Sequence, residues 1–529
     1  LEFAMRENLR LTAQFSLTKG MSSGETFKSM NHTDFEKNNT PLLERGTYNK
    51  STGNTMNWST NASINYNLTK DKHLLSMFAR WEIAQNQTEG IFLEAKGFPN
   101  DNMTDFMFAQ EIEKNDVNSN ETTSRSMGLT ATVSYMYDFR YSLDFNLRGD
   151  MSSQFGADTK MKPFWSVGAR WNASREKWLE GSFVSNLVLR ASYGITGSQN
   201  YDPYQAVEGY SFEDLMFQYL SSGVIGAELK GFGNPDLDWS TTKDFSAAIE
   251  LGFFQDRLTA SVNYYNHYTD QLLLDNNIAP STGFPTLMTN IGAISNKGVD
   301  VTLGFTPIQD YERQIQWNVS INGNHNSNKV KKISNKIKKV NEENLKNKEK
   351  PLPIYEEGKS TTQLFVVRSL GIDPATGNEI FLKRNGERTF FWNANDKVAV
   401  GDTEPKFRGG ITSGLTWKDW SVNLGFTYEF GAYTYNQTLV DRIENVNLLH
   451  NADRRATKDR WRKPGDIAKY KSIAFSGRTT ELSSRFVQKK NEIAFSSISI
   501  GYHFDPKKFG FLKQCKIAGI NLSGSVQDL

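Results

Sequence analysis

The sequence contains almost no cysteine and no long apolar run. Cys515 is the only cysteine among 529 residues, so the chain offers neither a disulfide framework nor a cysteine-based metal site. No stretch approaches the roughly eighteen consecutive apolar residues that a membrane-spanning helix needs. These absences exclude a helical membrane protein. They leave a membrane β-barrel open, because barrel strands carry apolar side chains only at alternate positions.

The chain also lacks an excess of charge of either sign and the common catalytic motifs. Lys and Arg number 61 against 59 Asp and Glu, which gives no reason to expect nucleic acid as a partner. The six histidines show no HExxH spacing, and there is no Walker-type loop and no GxSxG sequence. Acid pairs such as Glu356 and Glu357 stand in a polar stretch typical of an exposed loop. We therefore expect no enzyme activity, no cofactor and no metal site.

A recurring alternation of apolar and polar residues is the main feature that is present. In Asp419–Gly431, large apolar side chains occupy every second position from Trp420 to Phe430. A β-strand has a side-chain period of two, so the segment predicts a strand with one apolar and one polar face. About fifteen segments show this pattern, each of roughly 9–12 residues, the length that a tilted strand needs to cross a bilayer.

The links between these segments are alternately very short and very long. The short links lie at 69–72, 138–140, 255–257, 308–312, 418–419 and 505–513. The long links lie at about 18–55, 85–125, 195–242, 269–297, 327–408 and 431–485. Outer-membrane barrels show this asymmetry, because their periplasmic turns are tight and their extracellular loops are extended. We therefore predict an all-β fold, a transmembrane antiparallel β-barrel whose apolar face meets outer-membrane lipid.

Several phrases at the edges of the predicted loops are more specific than barrel chemistry requires. In chain order they include LRASYGITGSQN (Leu189–Asn200), GNPDLDWSTTKDF (Gly233–Phe245), NIGAISNKGVDVTL (Asn290–Leu303), GIDPATGNEIF (Gly371–Phe381) and SSRFVQKKNEIAFSSISIGY (Ser483–Tyr502). This order resembles the C-terminal barrel half of the SusC/RagA-type TonB-dependent outer-membrane transporters of Bacteroidetes. The resemblance covers nearly the whole chain.

The resemblance implies a barrel of about 22 strands around a plug domain, closed by a SusD-like surface lipoprotein that acts as a lid. Energy would come from the TonB–ExbB–ExbD complex, acting through a missing N-terminal region. Residues 1–529 would then form a partial barrel of about 15 strands, roughly the seventh to the twenty-first, with the plug domain absent from this chain. Because unpaired backbone groups are costly in lipid, we expect the remaining part of the barrel to come from a longer polypeptide or, after nicking, from a second chain.

Aromatic side chains in the predicted long loops are the candidates for contacts with substrate or with the lid, because flat apolar rings suit sugars and peptide side chains alike. They are Tyr210, Phe212, Phe390, Phe391, Trp392, Tyr433 and Tyr435. Packing within the loops is the alternative role. The lysine-rich run Lys329–Lys350 has apolar residues at helical spacing and predicts a short amphipathic loop helix, which either is simply solvated or attracts anions.

The function that the sequence predicts is TonB-dependent import of oligosaccharides or oligopeptides across the bacterial outer membrane. One alternative is a barrel that transports nothing and serves as a scaffold or adhesin, which would need neither a plug nor a TonB contact. Another is a soluble β-sandwich enzyme acting on glycans, which would place acidic pairs in a cleft and dissolve without detergent.

Overall fold

Strands make up most of the computed structural model, which describes residues 1–112, 117–155, 161–198, 202–211, 227–277, 281, 284, 286–447, 451–475 and 479–527. The strands are β1 (Glu2–Arg6), β2 (Leu9–Lys28), β3 (Thr47–Lys70), β4 (His73–Lys96), β5 (Val117–Tyr137), β6 (Tyr141–Ser152), β7 (Lys162–Asn172), β8 (Val184–Ser198), β9 (Gly209–Ser211), β10 (Glu228–Gly231), β11 (Ser240–Phe253), β12 (Leu258–Asn277), β13 (Thr286–Asp310), β14 (Ile315–Lys332), β15 (Gln363–Ile372), β16 (Glu379–Leu382), β17 (Arg388–Thr389), β18 (Lys397–Asp402), β19 (Phe407–Trp417), β20 (Trp420–Tyr435), β21 (Val487–Phe504) and β22 (Ile520–Gln527). The α-helices are α1 (Thr33–Lys37), α2 (Asn335–Lys346) and α3 (Gly510–Gln514). Within these described ranges, no helix has the length and apolar character to span a bilayer.

Sixteen of the strands form one sheet, in the order β1-β2-β3-β4-β5-β6-β7-β8-β11-β12-β13-β14-β19-β20-β21-β22. Neighbours in the sheet are thus neighbours along the chain, apart from two excursions that form a two-stranded sheet (β9 and β10) and a four-stranded sheet (β17-β16-β15-β18). The pairings with a described register in the large sheet are antiparallel. Among the described residues, β1 and β22 pair on one side only and are the edges of this sheet.

The chain divides into two compact units. The first comprises Leu1–Tyr137, Asp144–Val167 and Gly197–Trp239, and the second comprises Asp138–Leu143, Gly168–Thr196 and Ser240–Leu529. In the first unit, β2 to β5 pair without a bulge, and Tyr48, Ala95 and Phe98 form a small buried cluster beside them. The second unit holds α2 and the four-stranded sheet of β15 to β18.

Strand β20 shows how the alternating pattern is used. It spans 16 residues and pairs with β19 and β21, which confirms the strand predicted over Asp419–Gly431. At the two ends of its apolar face, Trp420 is 47% exposed and Phe430 is 38% exposed. Large rings left uncovered along one face of a paired strand are unfavourable in water, so this face requires an apolar surrounding.

Several strands are longer than the alternation predicts. Strands β3 and β4 have 24 residues each and β13 has 25, so the expected length of roughly 9–12 residues is wrong for them. The N-terminal half of β3 reads TYNKSTGNT, which is polar at nearly every position. Beyond an apolar band both faces of a strand meet water, so the hydrogen-bonded ladder continues while the alternation that would reveal it disappears.

Aromatic rings that are exposed or half-buried gather beside the short turns of the second unit. The ring centroid of Tyr502 lies 4.7 Å from those of both Trp420 and Phe504, and Phe509 lies 5.1 Å from Phe504. These rings flank the turn at 418–419 and the link at 505–519. Aromatic side chains are enriched at membrane–water interfaces, where their apolar bodies and polar tips meet both media.

Tyr428 covers two glycines on the apolar face. Gly409 pairs with Tyr428 on one side and with Gly323 on the other, and the Tyr428 hydroxyl donates to the carbonyl oxygen of Asn322 at 2.9 Å. A Cβ atom on Gly409 would collide with that carbonyl and lie 2.8 Å from the tyrosine oxygen. Gly409 therefore lets β14 and β19 approach each other under the ring.

We predict that Gly409→Ala destabilises the intact protein by about 1–3 kcal/mol, because the obstructing atom belongs to the backbone of β14 and cannot rotate away. The matched control is Gly414→Ala on the same strand, where the added Cβ would meet only the side-chain oxygen of Asn423, at 3.0 Å. Urea unfolding of the protein in lipid vesicles measures both. Equal midpoints for the two variants would contradict the close packing of β14 and β19.

Candidate functional site

The link between β14 and β19 begins with the amphipathic helix α2, which confirms the helix predicted within Lys329–Lys350. The Ser334 hydroxyl accepts a hydrogen bond from the Ile337 amide at 3.1 Å and caps the first turn. The buried side chain of Asn341 donates to the carbonyl of Tyr355 at 2.6 Å and accepts from its amide at 2.9 Å. These bonds fold the segment after α2 back against the helix.

A buried lysine closes the C-terminal end of α2. Lys397 is 1% exposed, and its ammonium donates to the carbonyls of Asn344 at 3.3 Å and Asn347 at 2.8 Å. The last carbonyls of a helix lack partners within the helix and carry partial negative charge, which favours a cation there. Burial nevertheless disfavours the charged form and lowers the pKa of Lys397 to about 8.

Trp392 packs between two lysines. Its ring lies 5.5 Å from the Lys397 ammonium and 5.8 Å from that of Lys348, and its indole N–H donates to the carbonyl of Leu482 at 2.9 Å. The structure thus places this candidate residue in contacts within the protein, where it joins the link after β14 to the segment before β21.

The turn before β16 is built by the GIDPATG phrase. The Asp373 carboxylate accepts hydrogen bonds from the hydroxyl of Thr376 at 2.6 Å and from its amide at 3.1 Å, which lower the pKa of Asp373. Gly377 follows with a φ of +74°, a conformation that a side chain disfavours, and a Cβ there would lie 2.6 Å from the Trp461 ring. This turn directs Glu379 towards Arg485.

Arg485 joins three segments through a buried charge cluster. Its Nη2 donates to Glu379 Oε2 at 3.0 Å and to Glu444 Oε1 at 2.6 Å, and its Nη1 donates to the carbonyl of Lys469 at 2.8 Å. The side chains of Arg485, Glu379 and Glu444 are 11%, 10% and 0% exposed. Burial alone would lower the pKa of the Arg485 guanidinium, but the two carboxylates outweigh it and raise that pKa above its ordinary value.

A cavity of about 270 Å³ adjoins this cluster. Its lining includes the fully buried Glu444 and the nearly buried Phe381, and also the exposed Asn378, Phe390 and Thr479. The rest of the lining is formed by Gly377, Glu379, Lys471, Phe475, Thr480, Glu481 and Arg485. The cavity therefore runs from solvent-facing residues to a buried charged floor.

The candidate aromatic residues have different surroundings. Phe390 lines the cavity and is 51% exposed, and Phe391 beside it is 84% exposed. Tyr433 packs against Gly401, whose added Cβ would lie 2.5 Å from its ring. The buried Tyr435 hydroxyl has no hydrogen-bond partner among the described residues.

The last two candidates lie elsewhere. Tyr210 is 56% exposed, and its hydroxyl donates to Glu208 at 3.0 Å in the first unit. Phe212 lies outside the described residues. Sequence reasoning missed Glu379, Glu444 and Arg485. The signal for Glu379 and Arg485 was their position inside the specific phrases GIDPATGNEIF and SSRFV, each next to apolar residues.

The polar face of the large sheet carries its own charged groups. The Lys490 ammonium lies 2.7 Å from Glu429 and 3.6 Å from Glu492. Together with Asn324 and Arg408, these residues line an open depression of about 440 Å³. Exposed ion pairs of this kind contribute about 0–1 kcal/mol, so they do little for stability, but they keep the face compatible with water.

An antiparallel meander with one apolar and one polar face, and with aromatic rings beside its short turns, is typical of an outer-membrane β-barrel. Comparison with known families agrees, since residues 4–448 match the family described as TonB dependent receptor-like, beta-barrel. The chain belongs to this family and is located in the bacterial outer membrane. The resemblance predicted from the sequence is thereby confirmed, as is the all-β barrel class of the fold.

Individual relatives cover most of this chain. TonB-dependent receptor P39 of Formosa agariphila is 27% identical over 515 residues, which is 87% of this chain and 48% of the relative. TonB-dependent receptor SusC of Bacteroides thetaiotaomicron is 26% identical over 378 residues, 69% of this chain and 36% of the relative. The chain thus spans about half, or less, of the curated relatives it matches.

A solved structure of the RagAB peptide transporter shares the fold, with a TM-score of 0.84 at 20% identity, and covers 100% of this chain and 57% of that chain. The family is one of receptors and transporters, not of enzymes.

We predict that Arg485→Met destabilises the folded segments that Arg485 joins, while the large sheet stays folded. Removing one partner of a buried ion pair costs about 3–5 kcal/mol, because the other charge is left uncompensated. Hydrogen exchange measured by mass spectrometry should accelerate across 437–447 and 479–487 but not in β12. The control is Arg455→Met, which breaks an ion pair with Asp453 at the solvent-exposed surface, where such pairs add little to stability. Equal exchange in the two variants would show that Arg485 does not anchor these loops.

Proposed function

We propose that this chain forms part of a transporter that imports oligosaccharides or oligopeptides across the outer membrane in a TonB-dependent manner, together with a SusD-like lid lipoprotein. The observation that carries the proposal is the match of residues 4–448 to the TonB-dependent receptor barrel family. The charged and amide-rich face of β14 and β19 to β21 supports it, because a polar wall suits a water-filled passage for polar cargo.

The proposal includes a larger assembly than this chain. Strands β1 and β22 have unpaired edges among the described residues, and such edges are costly within lipid. We therefore infer a barrel of about 22 strands in which this chain supplies a part, with a plug domain and a TonB contact elsewhere in the protein. The relatives are about twice as long, which supports this inference.

Within this chain, the long links are proposed to be extracellular loops that contact substrate or lid. Phe390 and Phe391 are the best placed of the seven candidates, because both are well exposed and Phe390 lines the cavity. Tyr210, Phe212, Tyr433 and Tyr435 stay in the proposal. Trp392 stays in it as well, although its ring also packs against lysines of the protein.

Uptake by the bacterium that carries the protein tests this function. We predict that cells take up a labelled mixed oligopeptide or a labelled maltooligosaccharide, and that uptake falls at least tenfold on deletion of this gene, of tonB or of the gene for the lid lipoprotein. Immunoblots of outer membranes verify that the barrel itself is still present in the last two strains. Uptake that persists without TonB would contradict active transport, and lost adhesion with unchanged uptake would favour the scaffold alternative.

A further inference from the structure

The charged groups around the cavity beside Arg485 differ in how fully their hydrogen-bonding atoms are used. Arg485 uses both terminal nitrogens on Glu379, Glu444 and a carbonyl, and Lys471 donates to the Thr480 hydroxyl at 2.9 Å. The second carboxylate oxygen of Glu444, Oε2, is buried and has no hydrogen-bond partner among the described residues. An unsatisfied carboxylate oxygen at a cavity floor is costly unless a donor reaches it.

A second acidic group lines the same cavity. Glu481 forms no hydrogen bond and no close ion pair with any other residue in the described ranges, although its charge acts on Lys471. The lining therefore carries three carboxylates (Glu379, Glu444 and Glu481) against two cations (Lys471 and Arg485). The described part of the lining thus has an excess of one negative charge, and carboxylate oxygens are among its unused acceptors.

An anionic ligand does not fit these features. It would meet three carboxylates among the described lining residues, and the Arg485 guanidinium already directs both Nη2 hydrogens at two of them. A neutral sugar could bond to single oxygens but would leave the charge excess uncompensated. A primary ammonium satisfies both requirements, because it supplies up to three N–H donors for the carboxylate oxygens and one positive charge to balance the excess negative charge.

The size and the apolar walls of the cavity indicate which kind of ammonium-bearing ligand it accommodates. The volume of about 270 Å³ far exceeds the roughly 10–15 Å³ that one water needs, so a group larger than water can enter. Phe390, Phe475 and Phe381 line it with aromatic surface, which packs against a short apolar stem and attracts a cation to the ring faces. The exposed Phe390 stands on the solvent-facing side, where a chain could continue outwards.

We propose that this cavity binds the primary ammonium group of a peptide, with the cation between Glu444 and Glu481 and the following residue against Phe390 and Phe475. The proposal rests on the transport function above, in that it assigns oligopeptides as cargo. The amino terminus and a lysine side chain offer the same chemistry, and the experiment separates these two sources.

Binding is measured by titration calorimetry on the intact protein purified from outer membranes in detergent. The probes are trialanine amide with a free amino terminus, the same peptide N-acetylated, and an N-acetylated Ala-Lys-Ala amide. Trialanine amide should bind about tenfold or more tightly than its acetylated form, since charge-assisted hydrogen bonds are lost on acetylation. The lysine peptide should match trialanine amide if side chains also enter, and should match the acetylated form if only the amino terminus does.

Two variants test the residues. Glu481→Gln keeps the shape of a partly exposed side chain and should remove most of the preference for the free amino group. Glu387→Gln is the control, because Glu387 belongs to the same loop region, pairs with Lys383 at the surface and lies outside the cavity lining. Glu444→Gln is included with circular dichroism as a check of folding, and should also weaken binding if it folds.

The outcomes separate this inference from the transport function. Equal binding of free and acetylated peptides, an unchanged Glu481→Gln variant, or no binding of any ammonium probe would each overturn the ammonium site. TonB-dependent uptake that persists in such a case leaves the transport function standing. A Glu481-dependent preference for free amino groups in a protein whose uptake needs no TonB would support the site and reject the transport function.

Discussion

The constraint on which the rest of the structure depends is that a chain in lipid must satisfy every backbone hydrogen-bonding group from within. Between its two edge strands, the large sheet does so with strands whose order in the sheet follows their order in sequence. Because successive side chains point to opposite faces, the same ladder fixes which residues meet lipid and which meet water. Tyr428, which packs over Gly409, and the rings around Tyr502 belong to the face that meets lipid. The charged residues around Glu429 belong to the face that meets water. The edges at β1 and β22 do not meet this constraint by themselves, which is why the proposed barrel includes further strands beside them.

The long links between the strands are stabilised in a different way. Ordering a link as long as 333–406 costs conformational entropy. No lipid surrounds the link, so a core formed by its own side chains must offset that cost. That core consists of buried apolar strands such as β15 and of Arg485, which draws Glu379 from one link and Glu444 from the other into a single body. Trp392 and Leu482 add a second bond between the same two links. Buried charge in this arrangement fixes geometry more than it adds stability, and a cavity adjoins the cluster.

The sequence predicts what is local and fails where contacts are distant. The alternation in β20 and the apolar spacing in α2 are each contained in one short segment, so both elements could be predicted. The polar half of β3 carries no alternation, and the strand was therefore predicted too short. Arg485 lies 106 residues from Glu379 and 41 from Glu444, and no local pattern reveals that they meet. For the same reason Phe390 and Trp392 seemed equivalent candidates, although one lines the cavity and the other packs inside the loops.

The central claim, that alternate residues of the large sheet face lipid and water, is tested most directly by spin labelling of β20. In a Cys515→Ser background, single cysteines at Val422, Asn423, Leu424, Phe426 and Thr427 are labelled in the intact protein, reconstituted in vesicles. Collision with oxygen, which concentrates in lipid, should be high at Val422, Leu424 and Phe426 and low at Asn423 and Thr427. A water-soluble nickel chelate should show the reverse order, with collision low at Val422, Leu424 and Phe426 and high at Asn423 and Thr427. Flat oxygen accessibility along β20, or chelate contact at the apolar positions, would contradict the membrane-spanning sheet.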